Sequence, residues 1–483
     1  MALSIERGPS PFPSPRRAGR GQTVAGIRGA AFAAIVAVLV ALSAPRSVRA
    51  NGAFPDSENI LTPEDRPQDI VLVTNFGLLS STDGGATWLW SCEQDGNALG
   101  TLYQLTPLPR NRLFTLANQA LAYSDDRSCG WQMAGGAVSG QSLTDAFLDP
   151  VSGTRVLAIG VANQMYSLFQ STDAGTTFGP ALYQAAAGQN MTGVEIARSD
   201  ANIVYLAMRN SEAAPLLGRS TDGGAHFTIQ DLSTDLGPGL LRIIAIDPQD
   251  PNRVLFRFLG STDQSIALTV DGGMTVSKPV TVNGNFNSYT RLSSGTILVS
   301  GMAEFSTRPA LFRSHDRGTT FEEVPSPPAL RALSQRNGLV YGAADNFGDG
   351  YALGTSADEG TTWKALMTYA DVDAINPCLK AQCQTSCDAQ VQVALWSADV
   401  CSADPPVGGT DGGGGAAGTG GSGPPGPKSG GGCSCETNPQ RPAAASTLLA
   451  LLFATLTIAR RGRARGRGRG RAARTPGRAR PRA

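Results

Sequence analysis

Histidine is nearly absent from this chain: 483 residues hold two, so neither a histidine-ligated zinc cage nor a Ser-His-Asp triad has the side chains it needs. Charge is sparse as well, at 16% of residues. The net charge of +1 hides an uneven distribution, because seven arginines precede residue 51 and eleven follow residue 459. Between those segments 22 basic residues face 38 acidic ones, leaving a body near −16. A body of that sign argues against nucleic acid as a partner. What the chain has in excess is turn formers, with 58 glycines and 31 prolines, which favours turn-rich β structure plus a low-complexity segment over helices.

Both ends read as addresses. Arg7, Arg16, Arg17, Arg20 and Arg28 precede an uncharged apolar run over 29–44, and Val48-Arg49-Ala50 places small residues at the −3 and −1 positions of a cleavage site before Asn51. This pattern predicts a secretory signal peptide over 1–50, since the run is shorter than the ~20 residues that span a bilayer. At the other end, residues 402–432 hold 14 glycines in 31 positions and are expected to form a disordered tether. Residues 433–483 follow as Gly432-Cys433-Ser434-Cys435, an apolar helix over 443–459 and an arginine tail from Arg460 that positive charge would hold in the cytoplasm. This order resembles the C-terminal sorting signal of myxobacterial surface proteins. The resemblance implies a sorting protease as partner, Cys433 or Cys435 as the processed or lipidated residue, and a chain exported to the cell surface and anchored to the membrane through its C-terminus.

Between the ends lie seven copies of one turn, S-x-D-x-G-x-T-W in its fullest form at Ser81 to Trp88. The aspartates are Asp83, Asp126, Asp173, Asp222, Asp271, Asp316 and Asp358, separated by 43, 47, 49, 49, 45 and 42 residues. A period in the forties fits a four-stranded propeller blade. Within each unit an apolar strand, a turn and a second apolar strand precede a third strand into the box and a fourth out of it, as in Ile60 to Val73 and then Thr87 to Ser91. The expected fold is all-β, a seven-bladed β-propeller of four-stranded blades over 51–376, followed by a disulfide-rich module over 377–401. The box has a turn logic: a short aspartate accepts backbone N–H groups, glycine supplies positive φ and the aromatic covers the hairpin. Its spacing does not match a calcium loop, and no metal or cofactor is called for.

These boxes resemble the Asp-box, or bacterial neuraminidase repeat. The resemblance covers about residues 56–376 and implies a propeller whose function is open, since such propellers serve sialidases, other glycosidases, sorting receptors and assembly factors. A sialidase needs clustered arginines for a carboxylate and a tyrosine nucleophile backed by a glutamate. The Arg-Ile-Pro signature of that family is missing ahead of the first box, where Ile60-Leu61-Thr62-Pro63 stands. Arg198, Arg242, Arg291 and Arg331 do fall on or beside expected innermost strands, with Tyr289 and Glu195 close by in sequence. They are the catalytic candidates if there is chemistry, and strand-end or rim residues otherwise. Asp149 and Asp247 precede proline and read as turn residues, and His226 and His315 fall in box hairpins. The expected function is a surface-anchored, non-enzymatic scaffold for a protein, glycan or matrix ligand; the alternatives are a sialidase-like or other glycoside hydrolase, and an envelope assembly factor.

Eight cysteines, an even number, suit an exported chain. Cys92 and Cys129 lie on expected outer positions of adjacent blades, and a Cys92–Cys129 disulfide is expected. Cys378, Cys383, Cys387 and Cys401 would staple the small module around Trp396 against the last blade, with three connectivities open.

Overall fold

A computed structural model describes residues 55–92, 102–304 and 307–403, all within one compact unit of residues 1–410. The signal peptide, most of the glycine tether, Cys433, Cys435 and the apolar helix over 443–459 lie outside the described residues. Among the described residues no helix is long and apolar enough to cross a membrane.

Seven sets of four antiparallel strands follow one another in chain order, the short strand Thr177–Phe178 within the third set standing apart to pair in parallel with Gly135–Gly136. The sets are the seven blades of a β-propeller. Blade 1 comprises Ser57–Leu61, Ile70–Thr74, Gly77–Ser81 and Leu89–Cys92. Blade 4, for comparison, comprises Asn190–Ile196, Val204–Arg209, Pro215–Ser220 and Thr228–Asp231. The innermost strands of the other blades are Tyr103–Leu105, Ser142–Leu148, Leu240–Asp247, Asn285–Arg291 and Ala332–Arg336 for blades 2, 3, 5, 6 and 7.

Burial explains the sequence pattern. Second and third strands are sandwiched between neighbouring blades, so both faces must be apolar and the strands read as continuous hydrophobic runs rather than alternating ones. In blade 4, Val204, Leu206 and Met208 pack toward blade 3 while Tyr205 and Ala207 pack toward blade 5, the period-2 alternation sending one set to each neighbour. Outside blade 1, fourth strands lie at the rim and are mostly exposed, as at Thr228–Asp231.

Each box joins a third strand to a fourth. In blade 1, Ser81 Oγ donates to Asp83 Oδ1 at 2.8 Å and accepts the Gly85 N–H, while Asp83 Oδ1 accepts the Thr87 N–H at 2.9 Å. The same three bonds recur around Asp126, Asp173, Asp222, Asp271, Asp316 and Asp358, with Thr269 in the serine position of blade 5. Satisfying the N–H groups of a hairpin that has no ladder partner is what the aspartate contributes. Arginines then tie blades together through the peptide after the box aspartate. Arg112 of blade 2 donates to Ala174 O, Arg155 of blade 3 to Gly223 O, and Arg253 of blade 5 to Arg317 O, at 2.7, 2.6 and 2.8 Å.

The C-terminal segment departs from expectation. Ala374–Ile375 pairs in parallel with Leu89–Trp90, adding a fifth strand outside blade 1. The helix Lys380–Gln392 follows, and Trp396 packs its ring against Trp90 and Phe76 at centroid distances of 5.0 and 6.0 Å. The module therefore covers the first blade rather than the last. The expected Cys92–Cys129 disulfide is not formed: Cys92 bonds Cys383, Cys129 bonds Cys378, and Cys387 bonds Cys401. The physical reason is that the returning chain lies across the outer edges of blades 1 and 2, so each of their cysteines finds a partner in it.

Candidate functional site in the central channel

The seven innermost strands surround the channel. In five of them the ladder is interrupted, between Ser57 and Asn59, Leu143 and Asp145, Met191 and Gly193, Ile243 and Ala245, and Phe286 and Ser288. Such irregularities leave a residue unpaired and re-aim the side chains beside it. Here the freed groups reach the next blade. Asp145 Oδ2 accepts the Val194 N–H at 2.9 Å, Thr192 Oγ1 donates to Leu241 O at 2.8 Å, and Asn287 Nδ2 donates to Leu330 O at 3.0 Å.

At the end where the innermost strands begin, a polar recess is lined by Asp56, Glu58, Arg257, Gln264, Asn287 and Arg331. Arg331 Nε donates to Asp56 Oδ2 at 3.1 Å, and Arg257 Nη1 donates to Phe286 O at 2.7 Å. Burial raises the Asp56 carboxyl above its ordinary value, with Arg331 opposing it. Burial, reinforced by the neighbouring Asp56 charge, raises Glu58 as well. Burial lowers Arg257, and Arg242 nearby adds to the effect. Two carboxylates, two guanidinium groups and three amides, Asn285 being the third, thus share one opening.

Further along the strands sit two more carboxyls. Burial pushes Asp145 up to about 6, against the Val194 N–H and the Arg242 charge. Burial likewise pushes Glu195 up to about 8, with the Asp145 charge adding to it and the Ile246 N–H opposing it. Both side chains remain partly exposed. Burial thus favours the protonated form of both carboxyls, and the Asp145 charge adds to the effect at Glu195.

The sequence candidates do not converge. Arg331 stands at the recess, whereas Arg242 donates to Thr192 O at 2.7 Å. Arg291 Nη1 pairs with Asp247 Oδ2 at 3.0 Å, and Arg317 Nε donates to the same oxygen at 2.9 Å. Tyr289 lines that same crevice between blades 5 and 6, its hydroxyl raised in pKa by burial. Arg198 is exposed just beyond the blade 4 innermost strand. Asp149 Oδ1 accepts the Val151 and Ser152 N–H groups and Asp247 Oδ1 that of Gln249, as turn residues do. His226 is exposed and bonded to Asp222. Among the described residues no group of three or more His, Cys, Asp or Glu is placed to hold a metal ion. Glu58 and Asp145 were not singled out from sequence, because the strand irregularities break the alternation that would have revealed which residues face the channel; Asp56 precedes its strand and Arg257 lies on a second strand.

No protein-family model matches the chain, and no curated protein matches its sequence. Among solved structures, it is similar to an ancestral GH74 enzyme, with 14% identity, a TM-score of 0.38, and 65% of this chain and 54% of that one covered. The GH74 xyloglucanase from Xanthomonas campestris gives 15% identity and a TM-score of 0.36, covering 66% of this chain and 60% of the other. YCF48 from Cyanidioschyzon merolae gives 14% identity and a TM-score of 0.35, covering 55% of this chain and 96% of that one. The chain thus spans a little over half the length of the first of these enzymes.

Proposed function

We propose that this protein is an exported, surface-anchored propeller of the Asp-box type that binds an extracellular glycan or protein ligand at the channel mouth, without turning it over. The observation that carries the reading is the recess itself, where Asp56, Glu58, Arg257, Gln264, Asn287 and Arg331 present donors and acceptors of both charges around one opening. Such a mixture suits a polyhydroxylated or zwitterionic surface, which offers hydroxyls and amides in every direction. The shared bonding of the seven box turns supports the Asp-box resemblance. The acidic body, the glycine tether and the cysteine-helix-arginine terminus support display at the surface, with a sorting protease as processing partner.

A second reading is favoured by Asp145 and Glu195. A glycoside hydrolase needs one carboxyl held protonated and one ionised, and burial sets these two apart in that sense. A glycan array combined with a fluorogenic-glycoside screen on the purified protein separates the two. Binding without turnover, lost in Glu58→Gln/Arg331→Ala, is expected; turnover lost in Glu195→Gln would establish the hydrolase instead.

A further inference from the structure

The seven blade interfaces are not packed alike. Among the described residues, six of them share clusters of eight to 24 buried apolar side chains, whereas the interface of blades 1 and 2 holds four: Val73, Leu78, Tyr103 and Leu113. A crevice remains there, walled by Val71, Leu78, Leu105 and Leu113, with Arg127 and Ser128 of the blade 2 box among its lining residues.

The returning C-terminal segment crosses that seam. Asn376 Nδ2 reaches Ser91 Oγ of blade 1 at 3.3 Å and Arg127 O of blade 2 at 3.5 Å, and Ser91 Oγ meets Ser128 Oγ at 2.8 Å. Two residues on, Cys378 is bonded to Cys129 in the blade 2 box. The segment is fixed to blade 1 separately, by Cys92–Cys383. Together the two bonds join blade 1 to blade 2 through the segment, across the interface that has the fewest buried apolar side chains among the described residues.

Accessibility distinguishes this pair. Cys92, Cys383 and Cys387 are 0% exposed and Cys401 5%, while Cys378 is exposed and Cys129 partly so. Thiol–disulfide exchange requires a thiolate to reach a sulfur, so access selects which bond reacts first.

We propose that Cys129–Cys378 is a reducible lock on the seam between blades 1 and 2. A dithiol reductant supplies the two electrons. Its first thiolate attacks one sulfur of the pair, forming a mixed disulfide and releasing the other as thiolate. Its second thiol then displaces the protein sulfur and leaves as a cyclic disulfide. The protein gains two protons as the Cys129 and Cys378 thiols. Cys92–Cys383 stays closed, so the segment remains on blade 1 while blade 2 is released from it, and the apolar walls of the crevice open to water.

The test uses the full chain with its free thiols first blocked by N-ethylmaleimide. Brief dithiothreitol treatment, iodoacetamide alkylation and peptide mapping should label Cys129 and Cys378 before the other four. Hydrogen exchange on the same sample should rise about tenfold or more in Gly77–Ser81 and Leu113–Ala117, with Val204–Arg209 and Gln264–Thr269 unchanged. The variant Cys129→Ser/Cys378→Ser should show the same local rise without reductant, and Cys387→Ser/Cys401→Ser should not. Earlier labelling of the other four cysteines, exchange rising evenly through all blades, or no change at the seam would each overturn the proposal.

Discussion

Replacing Asp358 by alanine probes the device that repeats in every blade. Its carboxylate accepts from Ser356 Oγ at 2.8 Å, from the Thr362 N–H at 2.8 Å and from Thr362 Oγ1 at 2.6 Å. Asp358 and Thr362 are exposed, so water takes over part of what the variant loses. The comparable loss of an aspartate or serine cap from a helix costs about 0.5–2 kcal/mol, and a cost of about 1–2 kcal/mol is expected here. In a propeller of this size, at ~2.1 cal/mol/K of unfolding entropy per residue, that corresponds to a fall in Tm of about 1.5–3 °C, read by circular dichroism. The Asp358 carboxyl is held at about 2, chiefly by the Thr362 hydroxyl and N–H. Because that lies below the ~3.9 of an unfolded aspartate, its contribution is complete above pH ~4 and lost as pH falls through about 2. The gap between wild type and Asp358→Ala should therefore narrow on acidification, and Asp358→Asn, which keeps an acceptor, should fall less. A variant that melts within about 1 °C of wild type at pH 7 would refute the account of the box.

Three other outcomes are expected. Arg155→Met removes the bonds to Ala201 O and Gly223 O, both 2.6 Å, and should lower stability in urea by about 1–3 kcal/mol through the carbonyls it leaves behind. Glu195 is raised from ordinary values to about 8, so wild type should lose stability as pH rises from ~4.5 through 8; Glu195→Gln should flatten that part of the profile in thermal melts. Trp396→Ala empties the packing against Trp90 and Phe76 and should cost about 3–5 kcal/mol, seen as a lower urea midpoint.

The blade architecture was legible because it is written seven times. The Ser-x-Asp spacing and the apolar runs beside it place third and fourth strands and both neighbours of each blade, and the observed Ile70–Thr74 and Met165–Ser171 fall where the pattern puts them. The disulfide partners of Cys92 and Cys129 were not legible, since they depend on where a chain returning after 291 and 249 residues settles, which no local period encodes. The channel chemistry was partly legible. Arg331 was found, but Glu58 stays hidden in Ser57–Leu61 because a register shift beside it upsets the alternation. Arg291 and Tyr289 have the residue types of a sialidase site, yet Asp247 holds the arginine between two blades.

Binding at the channel mouth is tested most directly by one comparison. A glycan-array hit, titrated by calorimetry against wild type, Glu58→Gln/Arg331→Ala and Arg291→Met, should bind to the first and third and lose at least about tenfold in affinity, some 1.4 kcal/mol, to the second, with the ligand recovered intact. Equal binding to all three proteins, or cleavage of the ligand by wild type and not by Glu195→Gln, would contradict the account.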